Sequence, residues 1–489
     1  MLSSRLGLGT SLARRLAGAG LLAFGLFSIP GFAQAQGQLL AQAPAVEQAQ
    51  PAAGPSANRS MSVPPAIWQQ PRQQRSIIPA MDENRFVPDE VLFELAPNAE
   101  AEAVLRRYGA TLIARQRFEL AGVTIIRAKL EAGRDLRAVL TQMADDTSIA
   151  GAQPNFLFNL QQGSSVAPDS TTGPTTASSD ATDQPPMPSL KLGDSTTAAR
   201  STGMVRRVLP PQYVVDKLKL AEARKLALGR GVRVGMIDSG VDMEHPEISG
   251  SVQAYLDAVD GQATPHAHGT SMATAIIAHG ELQGIAPAAR LLVARAFGGP
   301  QANSANGKSF QILTSLEWLV QQRAKIVNLS FAGPQDRLLS RALAGAKERG
   351  VIAVAAAGNA GPRSAPLYPG ADPSVIAVTA TDAEDRVFVD ANRGSYIVVA
   401  APGVDVLSAE PAGRYAFTSG TSIAAAHVSG LVALLVEKQP ELDLDSARRI
   451  LVESAIDLGS KGRDPTYGAG RIEPTTALAR VLPVATARP

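Results

Sequence analysis

Cysteine is absent from the 489 residues, which excludes disulfides, thiolate nucleophiles, cysteine-ligated zinc and a lipidated cysteine anchor. Any nucleophile in this chain is therefore an oxygen. Aromatic residues make up only 4%, and 46 basic residues against 44 acidic ones leave a net charge of +2. No broad positive field is available for nucleic acid or an anionic membrane surface, and neither is expected as a partner. Beyond the N-terminal segment no apolar run reads as long and charge-free enough to span a bilayer, so no span is expected once that segment is removed. What the chain does have is 45% hydrophobic residues, enough to fill a full-sized core in more than one domain.

Composition divides the chain into five stretches. Residues 1–36 read as an export signal, because Arg5, Arg14 and Arg15 precede the apolar run "LAGAGLLAFGLFSI" and the small-residue site Ala33-Gln34-Ala35. That run of 14 residues is short for a membrane anchor. An exported protein, periplasmic or extracellular, is expected. Residues 37–84 are rich in Gln, Ala and Pro and read as a disordered spacer. In residues 85–162, "EVLFEL", "ATLIARQRF", "VTIIRAKL" and "QPNFLFNL" read as strands and "NAEAEAVLRRYG" and "RDLRAVLTQMADD" as helices. The order βαββαβ predicts a small α+β domain. Residues 163–208 form a Ser/Thr/Pro-rich linker. From 209 to 485 short, almost wholly apolar strands such as "GVRVGMID", "KIVNLSF" and "VIAVAAAG" alternate with helices. That pattern predicts an α/β fold, a parallel sheet with helices on both faces, whose site lies at the carboxyl ends of strands.

Four polar residues fall at such ends. Asp238 closes "GVRVGMID", where a carboxylate is either catalytic or a turn former. His268 precedes Gly269-Thr270 at the head of a small-residue helix, where an imidazole can act as a general base, cap the helix, or pair with His266 on a metal. The remaining histidines offer no ligand spacing, so the metal ranks last and no metal ligand is assigned. Asn359 follows Gly358 at the end of "VIAVAAAG", as a turn residue or an amide donor for an oxyanion. Ser422 follows Gly420-Thr421 at the head of the long apolar helix "SIAAAHVSGLVALLVEK", as a helix cap or a nucleophile. The four stand 30, 91 and 63 residues apart in the order Asp, His, Asn, Ser.

The order Asp…His…Ser differs from that of α/β-hydrolases and of chymotrypsin. With "DSGVDMEHPEI", "HGTSMA", "GIAPAARLLVARAF", "IVNLSFAG", "AAGNAG", "VAAPG" and "SGTSIAAAHVSG", the C-terminal part resembles the catalytic domain of subtilisin-like serine proteases. The resemblance implies peptide-bond hydrolysis by Ser422, with His268 as general base, Asp238 orienting the imidazole and Asn359 sharing the oxyanion hole with the Ser422 N–H. It implies polypeptide substrates, bound as an added strand in a cleft lined by Ser330, Phe331, Ala332 and Gly333 and by Ala356, Ala357 and Gly358. No cofactor is required for this chemistry; structural calcium is common in the family, but no acidic loop here has a ligand spacing. A monomer is expected. Where the family usually has Met and Pro in the serine helix this chain has Ile423 and Ala426, and Ala332 replaces a usual glycine. The βαββαβ segment is similar to the inhibitory propeptide of the family, which implies an intramolecular inhibitor and folding aid. Two other readings stay open: a sedolisin-type hydrolase with a carboxylate base, against which "HGT" argues, and a non-catalytic peptide-binding relative.

Overall fold

The structure is a computed structural model and describes residues 76–160, 209–259, 264–298 and 305–481. The export signal and the linker of residues 163–208 lie outside the described residues. The first described segment runs β1 (Phe86–Leu95), α1 (Ala101–Arg107), β2 (Ala110–Phe118), β3 (Val123–Leu130), α2 (Leu136–Asp145) and β4 (Ile149–Leu160). Each strand carries β-branched or aromatic residues on its inner face, and the side chain of Asp135 caps α2 by accepting from Ala138 N at 2.7 Å. Residues 76–84, grouped by composition with the spacer, pack on this unit instead. Ile77 N–H donates to Ala152 O at 2.8 Å, and the Arg137 guanidinium donates to the carbonyls of Pro79, Ala80 and Glu83.

The second part begins with α3 (Tyr213–Lys217), α4 (Leu220–Leu226), β5 (Arg233–Asp238), β6 (Val252–Asp257), α5 (Ala267–Ile277) and β7 (Arg290–Arg295). Two fragments, β8 (Phe297–Gly298) and β9 (Asn306–Lys308), precede α6 (Ser309–Gln321), β10 (Ile326–Leu329), β11 (Phe331–Ala332) and α7 (Arg337–Glu348). There follow β12 (Ile352–Ala356), β13 (Val375–Thr381), β14 (Ile397–Pro402), the hairpin β15 (Val406–Glu410) and β16 (Arg414–Thr418), and the helices α8 (Thr421–Lys438), α9 (Leu444–Ser454) and α10 (Pro474–Ala479). Seven strands form one parallel sheet in the order β14-β13-β12-β10-β5-β7-β6. The chain leaves β5 toward β7 on one side and returns to β10 on the other. The carboxyl end of β5, Asp238, therefore stands at the topological switch point, where open α/β sheets hold their ligands.

Both faces of the sheet are covered, which is why its strands are apolar throughout. Val234, Met236, Val293, Ile326 and Val354 face the side packed by α5 and α8, and their alternates Ile237, Ala294, Val327, Leu329 and Ala353 face α6 and α7. The core on the α6–α7 side does not stop there. It continues without a break into the small unit, so that Phe93, Ile125, Leu140 and Phe156 share a cluster with Leu313, Leu316, Leu339 and Leu343. Among the described residues α8 is the one helix long and apolar enough to cross a membrane, but 89% of it is buried against the sheet.

His427 lies buried on α8, and its Nδ1 is 2.9 Å from Pro402 O. Burial pushes its pKa down to about 4, with the bond to Pro402 opposing the shift. The unfolded chain takes up this proton near the ordinary value of ~6.5, so the stability from a neutral His427 is fully present above that pH. It is lost as pH falls toward about 4, by roughly 3 kcal/mol. Urea midpoints at neutral pH and about pH 5 should show a smaller acid loss for His427→Asn than for the native chain; equal losses would refute the assignment.

Candidate active site

Asp238 and His268 meet at the switch point. His268 Nδ1 lies 2.7 Å from Asp238 Oδ1, and both side chains are buried. An ionised carboxylate in such a place needs donors, and Oδ1 also accepts from Ser239 N at 2.7 Å and Ser239 Oγ at 3.2 Å. Because the carboxylate accepts, Nδ1 carries the proton and Nε2 presents its lone pair. Nε2 is buried and has no hydrogen-bond partner among the described residues. The imidazole is placed by the first turn of α5, whose cap is His266: its Nδ1 accepts from His268 N at 3.2 Å and lies 3.1 Å from Ser239 Oγ. His266 is thus the N-cap of α5. Ser239 Oγ also accepts from Gly269 N at 3.1 Å. The helix comes this close to β5 because residue 269 is glycine; a Cβ there would lie 2.8 Å from the carbonyls of Ser239 and Gly240.

Ser422 sits in the first turn of α8, after Gly420 at φ 144°, a conformation for which only glycine is suited. Its Oγ donates to Ser330 O at 3.0 Å, and Ser330 Oγ donates back to Ser422 O at 2.9 Å. Behind this pair Asn328 Nδ2 donates to Ser330 Oγ at 2.7 Å and Ser429 Oγ donates to Asn328 Oδ1 at 2.9 Å, all fully buried. Asn359 Oδ1 accepts from Thr421 N at 3.1 Å and Thr421 Oγ1 at 2.7 Å. A backbone N–H can only donate, which fixes the amide with its nitrogen directed away from Thr421. None of Ser239, Asn328, Thr421 and Ser429 stood out in the sequence; Thr421, between Gly420 and Ser422 at a helix head, carried the nearest thing to a signal.

The end of β4 lies along the cleft. It pairs antiparallel with β11 on one edge, Leu160 opposite Phe331 and Asn159 opposite Ala332, and with β9 on the other, Phe158 opposite Gly307. Phe158 is buried edge-on to Phe331, centroids 5.7 Å apart, and Phe331 leans on Phe297 at 5.0 Å. Gly333 makes room for it, since a Cβ there would lie 2.4 Å from the Phe158 ring. Of the residues read as cleft-lining, Ser330 to Gly333 are thus brought together with β4. Ala356 and Ala357 are buried at the end of β12, where Tyr396 OH donates to Ala357 O at 3.0 Å, and Gly358 N donates to Thr421 Oγ1 at 3.2 Å. Among the described residues no three His, Asp or Glu side chains gather as a metal group.

A parallel sheet with a buried carboxylate–imidazole pair at its switch point, and a serine at a neighbouring helix N-terminus, defines a serine hydrolase framework. The comparisons are more specific. The model of the subtilase family matches residues 229–470. Thermitase of Thermoactinomyces vulgaris is 35% identical over 269 residues, 53% of this chain and 93% of that protein. Subtilisin of Bacillus pumilus is 32% identical over 255 residues, 50% of this chain and 90% of that one. The chain belongs to the subtilase family, and it is a serine protease. Fervidolysin of Fervidobacterium pennivorans, described as a keratinolytic enzyme related to subtilisin, shares the fold with a TM-score of 0.65 at 22% identity, over 83% of this chain and 63% of its own.

The small unit is fastened to α6 and α7 by polar contacts. Phe156 N donates to Ser309 Oγ at 3.0 Å, Phe310 N to Asn155 Oδ1 at 3.1 Å and Leu120 N to Glu317 Oε2 at 3.1 Å. On α7 a Cβ at Gly345 would lie 2.0 Å from Leu120 O. Gly345→Val should therefore lift the unit, and a packing cost of about 1–3 kcal/mol would speed amide exchange along β4 roughly ten- to a hundredfold. Unchanged exchange at Phe158 and Leu160 would show that this fit does not hold β4 in place.

Proposed function

We propose that this subtilase is an exported endopeptidase that cleaves peptide bonds through an acyl-enzyme, with Ser422 as nucleophile, His268 as general base and then acid, and Asp238 orienting the imidazole. The observation that carries the reading is the buried 2.7 Å bond between Asp238 and His268, which sets the tautomer with Nε2 as the acceptor. For catalysis Ser422 Oγ leaves Ser330 O by rotation about χ1 and gives its proton to Nε2 as it attacks the substrate carbonyl carbon. The amine leaves with that proton, and a water deprotonated by the same nitrogen then releases the acid. Asn359 Nδ2 and the Ser422 N–H, at a helix end whose N–H groups and dipole favour negative charge, bind the oxyanion. Export is supported by the signal-like composition of residues 1–36.

The substrate is an extended polypeptide that takes the strand position between β9 and β11, with a large aromatic or aliphatic residue where Phe158 now fills the pocket of Phe331, Phe297 and Gly333. Residues 85–162 act as an intramolecular inhibitor, because β4 already occupies that position. They also act as a folding template. β9 and β11 are three and two residues long, too short to form a sheet without a strand between them.

Ser422→Ala should leave the fold intact and lower activity by about 10⁶-fold, and Asn359→Ala should lower kcat by about 10²–10³ with KM little changed, both scales known from a subtilisin. Comparable peptide hydrolysis by Ser422→Ala would refute the nucleophile, and a raised KM with kcat intact would make Asn359 a ground-state contact. For the small unit, the chain expressed from residue 209 onward should refold slowly and incompletely, and added small unit should restore folding and then inhibit. Efficient refolding without any response to it would leave the unit an independent module.

A further inference from the structure

Nine residues beyond Asp238, the sequence "DMEHPEI" places Glu247, a carboxylate with no exposed surface. Its oxygens are fully used: Oε1 accepts from Glu281 N at 2.9 Å and Tyr415 OH at 2.9 Å, and Oε2 from Gly280 N and Leu282 N at 3.0 Å each. The backbone reaches the carboxylate because residue 280 is glycine; a Cβ there would lie 2.9 Å from Oε2. Beside it His245 is also buried, and its Nδ1 accepts from Glu247 N at 3.2 Å. Nε2 therefore carries the proton and donates to Arg414 O at 3.2 Å, while the ring stands edge-on to Tyr415, centroids 5.3 Å apart. Asp242 completes the contact, accepting from Ala412 N at 2.9 Å and donating its own N–H to Thr270 Oγ1 at 3.1 Å.

These bonds join three segments that are distant in sequence. Residues 239–247 follow Asp238, residues 280–282 follow the helix that carries His268 in its first turn, and Tyr415 lies on β16, the strand that runs into Gly420 and Ser422. We propose that Glu247, acting through Tyr415, is a positioning residue that sets where β16 delivers Ser422 relative to the Asp238–His268 pair. A fully buried carboxyl group with four donors is rigid, since moving any one donor leaves a buried acceptor unpaired. The Tyr415 hydroxyl fixes β16 along the strand, and the His245 ring fixes it laterally. A small displacement of a nucleophile from attack geometry costs far more in rate than in binding. This rests on Ser422 as the nucleophile, proposed above.

The test deletes one oxygen. Tyr415→Phe keeps the ring against His245 and removes the hydroxyl that donates to Glu247. With active sites counted by a serine-reactive phosphonate, kcat per site should fall roughly tenfold while KM stays within about twofold. Gly280→Ala, which pushes a methyl onto the carboxylate, should act in the same direction. A merely structural role would lower the melting temperature and the number of titrated sites but leave kcat per site unchanged; that result, or a change confined to KM, overturns the proposal. Should Gly280→Ala fail to fold, Tyr415→Phe decides alone. An active Ser422→Ala would instead refute the nucleophile, an outcome that the Tyr415→Phe measurement does not produce.

Discussion

The hydrogen bond between Asp238 and His268 constrains more of this molecule than any other. A buried carboxylate and imidazole are tolerable only if the charge is met by donors that are already in place. Three of those donors come from Ser239 and His268, and they demand that α5 start almost in contact with the end of β5. Gly269 follows from that closeness, and so does a cap on α5 from His266, whose Nδ1 accepts from His268 N–H. The position of β5 between β7 and β10 then opens a gap at the switch point, where loops depart to opposite sides.

On the other flank of that gap the network through Ser429, Asn328 and Ser330 does for the serine what Ser239 does for the carboxylate. Ser330 is at once the main-chain acceptor for Ser422 Oγ and the residue before β11, the strand against which β4 pairs. The Ser422 hydrogen bond and the β4 pairing therefore meet at one peptide unit. With β4 in place a strand lies between β9 and β11, and Ser422 Oγ donates to Ser330 O.

The parallel sheet was legible because strands buried on both faces have no polar alternation to confuse them with loops: "GVRVGMID", "KIVNLSF" and "VIAVAAAG" all became central strands. The fold class followed, and the ordered Asp, His and Ser pointed to the family that the thermitase and subtilisin matches establish. Shorter pieces left no such trace. β8, β9 and β11 have two or three residues each and exist only because β4 and their neighbours supply hydrogen bonds. The register of Leu160 opposite Phe331 depends on how the small unit seats on α6 and α7, a tertiary fit that no local pattern encodes. Glu247 and His245 were hidden for another reason. A Glu and a His in a turn-rich stretch read as solvated side chains, and only the return of β16 and of residues 280–282 makes them buried.

The seat of the small unit carries a cost of its own at Asp336. This carboxylate is buried at the cap of α7, where Gln153 Nε2 donates at 2.8 Å, Leu339 N at 3.1 Å and Ser309 Oγ closes the set. Burial pushes its pKa up in spite of these donors. One donor, Gln153, belongs to β4, so part of this environment depends on the small unit being docked. Separation removes the Gln153 bond but returns the carboxylate to water, which solvates a charge better than a single amide does. The apolar core shared with α6 and α7 favours docking, and Asp336 opposes it.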